Sequence, residues 1–305
     1  MRALVTGGLG FVGRYLREEL ESHGYEVTGL DLREGPQTLR ADLLDRKMVF
    51  QAVDTLRPQV IFHLAGQADV GKSWREPQET VEANVVAALN LMDAVREIDP
   101  ACRMVLVGSS DQYGQLGKAG ENVTEDTPVD PQTPYAVSKL AQEKMAKIYA
   151  RAYGMNISMT RSFNHGGPGQ REGFLIPDFA SGIVRVEKGL QNALRVGNLS
   201  SRRDFTHVRD VVRAYRLIAE KGRAGEVYNV GSGSTYSAQE ILDKLLALSD
   251  KTVPVEVDPA RMRPSDTPVI RCNHDKLTRD TGWEPELSLD QILTEVLAQW
   301  RQKYA

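Results

Sequence analysis

The chain of 305 residues has little cysteine, no long apolar run and no dominant sign of charge, and each shortage removes a class of protein. Its two cysteines, Cys102 and Cys272, are too few for a disulfide framework or a cysteine-rich zinc site, so a reducing, cytoplasmic setting is expected. No apolar stretch reaches the roughly 18 residues of a spanning helix. Met1 to Thr6 already read as a buried strand, so neither signal segment nor membrane anchor is expected. Lys and Arg number 38 against 41 Asp and Glu, a net charge of −3 that provides no general field for nucleic acid or an anionic membrane. No histidine or carboxylate at ligand spacing accompanies His63, which reads as a satisfied strand-end histidine, and no metal is expected. Repeats and low-complexity tracts are also missing.

What remains is an alternation of strands and helices. Ala3, Leu4 and Val5 form an apolar run that breaks at Thr6-Gly7-Gly8-Leu9-Gly10-Phe11-Val12-Gly13, and Tyr15, Leu16 and Leu20 resume at helical spacing. In this strand, turn and helix, Gly7, Gly10 and Gly13 allow a tight turn, close approach of a pyrophosphate and close packing of helix on strand. The amides of Phe11 and Val12 open the helix and face the phosphates. A second strand, Glu26 to Leu30, ends in Asp31, 18 residues beyond Gly13, where an acid can hold the ribose hydroxyls of an adenine dinucleotide. A carboxylate there repels a 2′-phosphate, but Arg33 and Arg14 can offset it, so NAD(P)H as a whole is the expected cofactor.

Asp42 and Leu43 then precede a helix over Arg46 to Leu56, with Asp42 either touching the adenine or capping that helix. The stretch Gln59 to Ala65 reads as a strand running into Gly66, which brings Leu64, Ala65 and Gly66 to the cofactor side. A helix around Val81 to Val95 and a strand Arg103 to Gly108 follow. This rhythm predicts an α/β fold of the Rossmann type, a doubly wound parallel sheet with ligands at the carboxyl ends of its strands.

After that strand come Ser109-Ser110-Asp111-Gln112-Tyr113 and, beyond a polar loop, Tyr135-Ala136-Val137-Ser138-Lys139. Tyr135 and Lys139 are four apart and share one helix face. An ammonium beside a phenol is expected to lower its pKa, and such a tyrosine passes protons to or from a carbonyl oxygen that Ser109 can also bind.

The ordered set of glycine turn, serine after a strand and Tyr-x-x-x-Lys resembles the extended short-chain dehydrogenase/reductase family along essentially the whole chain. The runs Arg161 to Gln170, Val196 to Asn198, Arg202 to Phe205 and Arg261 to Asp266 are similar to its nucleotide-sugar branch, above all to the enzymes of GDP-mannose metabolism. The resemblance implies Ser109, Tyr135 and Lys139 as catalytic residues and a GDP-sugar substrate held by Asn164, with Arg203 and Arg263 as phosphate partners. Asp266 meets the nucleoside in this reading, and Asp204 is an alternative surface partner for the arginines. Asp111 stands where dehydratases of this branch carry glutamate, one methylene longer, which counts against dehydration. Reduction of a 4-keto sugar by NAD(P)H, giving GDP-D-rhamnose, is the expectation, with Asp111 against a sugar hydroxyl or in the wall. A GDP-mannose 4,6-dehydratase, a nucleotide-sugar epimerase and a non-catalytic NAD(P)-binding sensor are the alternatives. Residues 1–164 are expected to form the dinucleotide-binding part and 165–305 mainly the smaller substrate-binding part, with some segments returning to the sheet. The family's pairing mode implies a homodimer through the helices of Asn84 and Tyr135.

Overall fold

The structure, a computed structural model, describes residues 1–114, 122–261 and 270–305. Seven strands form one parallel sheet: β1 (Arg2–Thr6), β2 (Glu26–Asp31), β3 (Thr38–Arg40), β4 (Val60–His63), β5 (Arg103–Ser109), β7 (Ile157–Ser162) and β11 (Val227–Val230). Their order is β11-β7-β5-β4-β1-β2-β3. Central strands such as β1 and β4 are buried on both faces, which is why they read as unbroken apolar runs. The chain builds outward from β1 to β3, then returns to lay β4 on the other side of β1, so a crevice opens where β1 and β4 end.

Helices α1 (Phe11–Ser22), α2 (Arg46–Leu56), α3 (Val70–Arg75), α4 (Pro77–Val81), α5 (Ala87–Ile98), α6 (Pro134–Tyr153), α7 (Leu175–Glu187), α8 (Val208–Lys221), α9 (Ala238–Ala247), α10 (Asp275–Thr281) and α11 (Leu289–Lys303) cover the strands. Val49 and Val53 of α2, Leu91 and Val95 of α5 and Ala146 of α6 pack with Leu4, Ile61 and Met104 on one face of the sheet. On the other face Leu16 and Leu20 of α1, Tyr215 and Ile218 of α8 and Leu277 of α10 pack with Val5, Phe62 and Val105. A further core joins α7, α9 and α11 to β9 (Leu194–Val196) and β10 (Arg202–His207), around Phe179, Ile183, Ile241, Ile292 and Trp300. Here β8 (Asn164–Gly166) pairs with β10, and β12 (Thr235–Ser237) flanks it. Two small pairs complete the chain, β13 (Val255–Val257) with β9 and β14 (Arg271–Cys272) with β6 (Asn122–Val123). No helix among the described residues is long and apolar enough to cross a membrane.

The helix expected over 46–56 is α2 itself, but its N-cap is Asp45, whose carboxylate accepts the amides of Lys47 and Met48. Asp42 instead closes a turn by accepting the Leu44 amide at 2.9 Å, which corrects the capping alternative. The strand expected over 59–65 is in register over Val60–His63, with Gln59 and Leu64 adding single backbone bonds to Arg2 and Thr6 of β1, and it ends where the Ala65 amide turns to the Thr6 hydroxyl. Around Val81 to Val95 the helix is interrupted by a π turn, Glu82–Val86, that carries Asn84 inward. Trp283 is fully buried, with its indole N–H on the Asp210 carbonyl at 2.9 Å.

Candidate active site

At the crevice the glycine turn is shaped by backbone contacts. A Cβ on Gly13 would lie 2.2 Å from the Gly7 carbonyl oxygen, and one on Gly7, in the left-handed region, would press on the backbone of Ala65 at 3.1 Å. Gly10 is the N-cap of α1 and no side chain among the described residues caps that helix, so the first-turn amides, Phe11 and Val12 among them, are available to an anion. The cradle therefore has the room and the donors a dinucleotide pyrophosphate needs. Asp31 ends β2 with one carboxylate oxygen on the Leu9 amide at 3.1 Å and the other on the Arg33 side chain at 3.1 Å. Burial pushes its carboxyl up, but the hydrogen bonds from Arg33 and from the Arg33 and Leu9 amides outweigh this and hold it below the usual range. Arg33 is thereby placed beside the acid whose charge it was expected to offset, while Arg14 bonds the Leu9 carbonyl. Leu43 is buried in the core and its carbonyl accepts from Asn90.

Ser109, the last residue of β5, caps a 3-10 turn, Ser110–Tyr113. Its hydroxyl accepts the Asp111 amide at 3.2 Å and is hydrogen-bonded to the Tyr135 phenol. Pro134 opens α6 behind the N-cap Thr133, so Tyr135 and Lys139 lie in its first turns facing the sheet, as their spacing demands. Lys139 donates to the Val107 carbonyl at 2.9 Å and to Gln142 Oε1 at 3.2 Å, and burial pushes its ammonium down to about 8. The expected lowering of the phenol is not found. Burial first, then the charge of Asp111, raise the Tyr135 pKa well above that of free tyrosine, against the Ser109 hydrogen bond. With its ammonium engaged on Val107 and Gln142, Lys139 does not offset them.

His63 is only half satisfied: Nδ1 meets the Thr6 hydroxyl at 2.9 Å, whereas Nε2 has no partner among the described residues. Burial, then the charge of Lys139, push it down to about 3. Gly66 lies against Asn84, whose Oδ1 would sit 2.5 Å from a Cβ there.

On the substrate side, Ser162 pairs in register with Ser109, and half-buried Asn164 starts β8 just beyond it. Arg203, also half-buried, lies on neighbouring β10 and donates to the Arg202 carbonyl at 2.7 Å. Asp204 is not a surface partner for the arginines. It is buried and accepts from the Ser232 amide and hydroxyl and the Gly233 and Cys272 amides, at 2.7–3.2 Å, tying three segments together. Arg263 and Asp266 lie outside the described residues.

Several side chains around the site have roles that the sequence reading did not assign. Asn84 accepts the Gln67 amide and donates to the Gln67 carbonyl and the Ser138 hydroxyl, clamping the loop after β4 to α6. His165 stacks on Phe11 with centroids 6.3 Å apart, and the Tyr15 hydroxyl reaches the Pro168 carbonyl at 2.8 Å, so the segment after β8 closes on α1. Glu143 and Arg161 form a buried ion pair behind Ser109. Glu143 stands eight residues after Tyr135, on the same helix face, and that spacing is the one hint the sequence offers.

The sequence pattern of the family described as GDP-mannose 4,6 dehydratase matches residues 4–296. A GDP-6-deoxy-D-mannose reductase of Pseudomonas aeruginosa is 35% identical, over 99% of this chain and 98% of that protein. A GDP-mannose 4,6-dehydratase of Vibrio cholerae is 25% identical, over 97% of this chain and 92% of that protein. Among solved structures, RMD from Pseudomonas aeruginosa complexed with NADPH matches with a TM-score of 0.89 and 33% identity over 99% of each chain.

Proposed function

We propose, from the premise that the chain belongs to the GDP-mannose 4,6-dehydratase family of NAD(P)-dependent, extended short-chain dehydrogenase/reductase enzymes, that it reduces the C4 keto group of GDP-4-keto-6-deoxy-D-mannose to GDP-D-rhamnose. The observation that carries this reading is the Tyr135 phenol, buried on the face of α6 that meets the Ser109 hydroxyl at the end of β5. A reductase needs a proton donor at the carbonyl oxygen, and Tyr135 is one at neutral pH. The similarity to a GDP-6-deoxy-D-mannose reductase along nearly the whole chain supports the same substrate.

In this mechanism the glycine cradle (Gly7, Gly10, Phe11, Val12, Gly13), Asp31 with Arg33, the Asp42–Leu43 turn, the Leu64–Gly66 loop and Lys139 hold the cofactor. When bound, the reduced nicotinamide supplies a hydride. Ser109 donates its hydroxyl proton to a hydrogen bond with the C4 oxygen, and Tyr135 transfers its phenolic proton to that oxygen as the carbonyl carbon is reduced. Lys139 stands one turn after Tyr135 on the same face of α6, with its ammonium held by the Val107 carbonyl and Gln142. Asn164, Arg203, Arg263 and Asp266 bind the nucleotide sugar. Residues 1–164 thus carry the cofactor and the chemistry, and 165–305 mainly the substrate.

Asp111 favours one second reading, a 4,6-dehydratase, since a carboxylate within the electrostatic reach of Tyr135 is where a base for the C5 proton is wanted. Exposed Val81, Val86, Val137 and Ile148, on the run α4 to α5 and on α6, support a homodimer through those helices. Two free, buried cysteines suit a reducing cytoplasm. The test is to mix the protein with GDP-4-keto-6-deoxy-mannose and NADH or NADPH and follow nicotinamide absorbance. Stoichiometric oxidation is expected; formation of the keto sugar from GDP-mannose, with no oxidation of added cofactor, overturns the reductase in favour of the dehydratase.

A further inference from the structure

Behind the site, a buried polar chain runs from β7 to Ser109. Arg161, in the middle of fully buried β7, places Nε and a terminal nitrogen on the two carboxylate oxygens of Glu143, each at 2.9 Å. The Arg161 guanidinium also covers the Tyr113 ring at 4.8 Å, and Lys147 reaches Glu143 from the rim at 3.2 Å. Glu143 Oε2 accepts from Gln112 Nε2 at 2.7 Å, and Gln112 Oε1 accepts the Ser109 amide at 3.1 Å. Gln112 is itself fully buried.

This chain has one possible direction. A carboxylate paired with a guanidinium only accepts and a backbone amide only donates, so the Gln112 side chain must turn its NH2 to Glu143 and its oxygen to Ser109. Space for that oxygen exists because residue 108 is glycine: a Cβ there would lie 2.8 Å from Gln112 Oε1 and 2.3 Å from the Thr160 carbonyl. Glu143 in turn shares its helix face with Tyr135 and Lys139 at intervals of four residues. One rigid face of α6 therefore holds the tyrosine directly and the serine at second hand.

We propose that Gln112 is a positioning residue for Ser109, oriented by the Glu143–Arg161 ion pair, so that serine and tyrosine are held in mutual register by α6. The inference rests on the functional reading above only in that Ser109 binds the reacting oxygen, a role it has in reduction and in dehydration alike.

The test is a double-mutant cycle of Gln112→Met, which keeps volume and removes both hydrogen bonds, with Ser109→Ala, run on keto-sugar reduction and on GDP-mannose dehydration. In the wild-type background Gln112→Met lowers kcat roughly 10- to 100-fold, as a misplaced catalytic group does, with little change in KM. In the Ser109→Ala background it lowers kcat less than about twofold, because the group it positions is gone. Equal losses in both backgrounds overturn the proposal. Glu143→Gln, which frees the amide to rotate, shows the same dependence on Ser109; a full-activity Glu143→Gln overturns the role of the ion pair. Hydrogen exchange at the Ser109 amide needs no turnover, and it speeds up in Gln112→Met. Faster exchange in a protein inactive on both sugars supports the positioning and removes the proposed function, whereas unchanged exchange overturns the positioning whatever the activity.

Discussion

Replacing Gly13 with alanine tests whether the glycine turn is built for a pyrophosphate. The new Cβ would lie 2.2 Å from the Gly7 carbonyl oxygen and 2.9 and 3.0 Å from backbone atoms of Gly8, where ordinary contact begins at 3.4 Å. All three neighbours are backbone, so no side chain can swing aside, and α1 must retreat from the turn by about 1 Å. A shift of that size takes the first-turn amides out of hydrogen-bonding range of a phosphate. Losing two such charge-assisted bonds, at about 1.5 kcal/mol each, weakens cofactor binding by roughly 100-fold. Gly24→Ala is the control. Gly24 has a left-handed φ of +77°, and an added Cβ meets nothing within 4 Å among the described residues, so alanine there costs about 1 kcal/mol of stability and leaves the cradle alone. Titration of each variant with NADPH, followed by fluorescence, and thermal unfolding without cofactor separate the two effects. Binding by Gly13→Ala within twofold of wild type would refute the reasoning.

Tyr135→Phe keeps the ring and removes the proton, so turnover falls by about 100-fold or more while NADPH binding is unchanged, as parallel kinetics and titration would show; unchanged turnover removes Tyr135 as the proton donor, and NADPH binding without turnover in both proteins identifies a sensor. His63 carries a pKa of about 3 in the folded chain against 6.5 when free, so the unfolded chain takes up its proton first as pH falls below 6.5. Stability is therefore complete above that value and is lost toward about 3, with His63 alone costing about 1.4 kcal/mol between about pH 7.5 and about pH 5.5. Urea melts of His63→Gln at the two pH values should show that slope reduced by this amount, the rest coming partly from His165 and His207, which burial also lowers. Asp204→Asn turns an amide donor toward a site that presents four donors, and a loss of about 2–4 kcal/mol in denaturant unfolding is expected. A loss under 0.5 kcal/mol, roughly the range of a surface change, would place that carboxylate outside the structural core.

Features set by local chemistry were legible in the sequence. The turn at Gly7 to Gly13 announces itself through residues that tolerate close backbone, α2 through its apolar spacing, and Tyr135 with Lys139 through helical geometry. Features set by long-range contacts were not. Asp204 has arginines as its sequence neighbours, yet its partners are 28, 29 and 68 residues away. Arg161 is a charge inside a fully buried strand, and the carboxylate of Glu143, brought over by α6, makes its burial tolerable. The direction of the Tyr135 shift also depended on depth of burial and on where the Lys139 ammonium points, neither of which follows from spacing four residues apart.

The central claim is that hydride from an added cofactor ends on C4 of the sugar. It is tested most directly with GDP-4-keto-6-deoxy-mannose and NADPH carrying deuterium at its transferable position, by mass spectrometry of the isolated nucleotide sugar. A GDP-deoxyhexose with one deuterium at C4 per cofactor oxidised is the predicted product. A product without deuterium, or conversion of GDP-mannose to the keto sugar with the added NADPH untouched, would contradict the account.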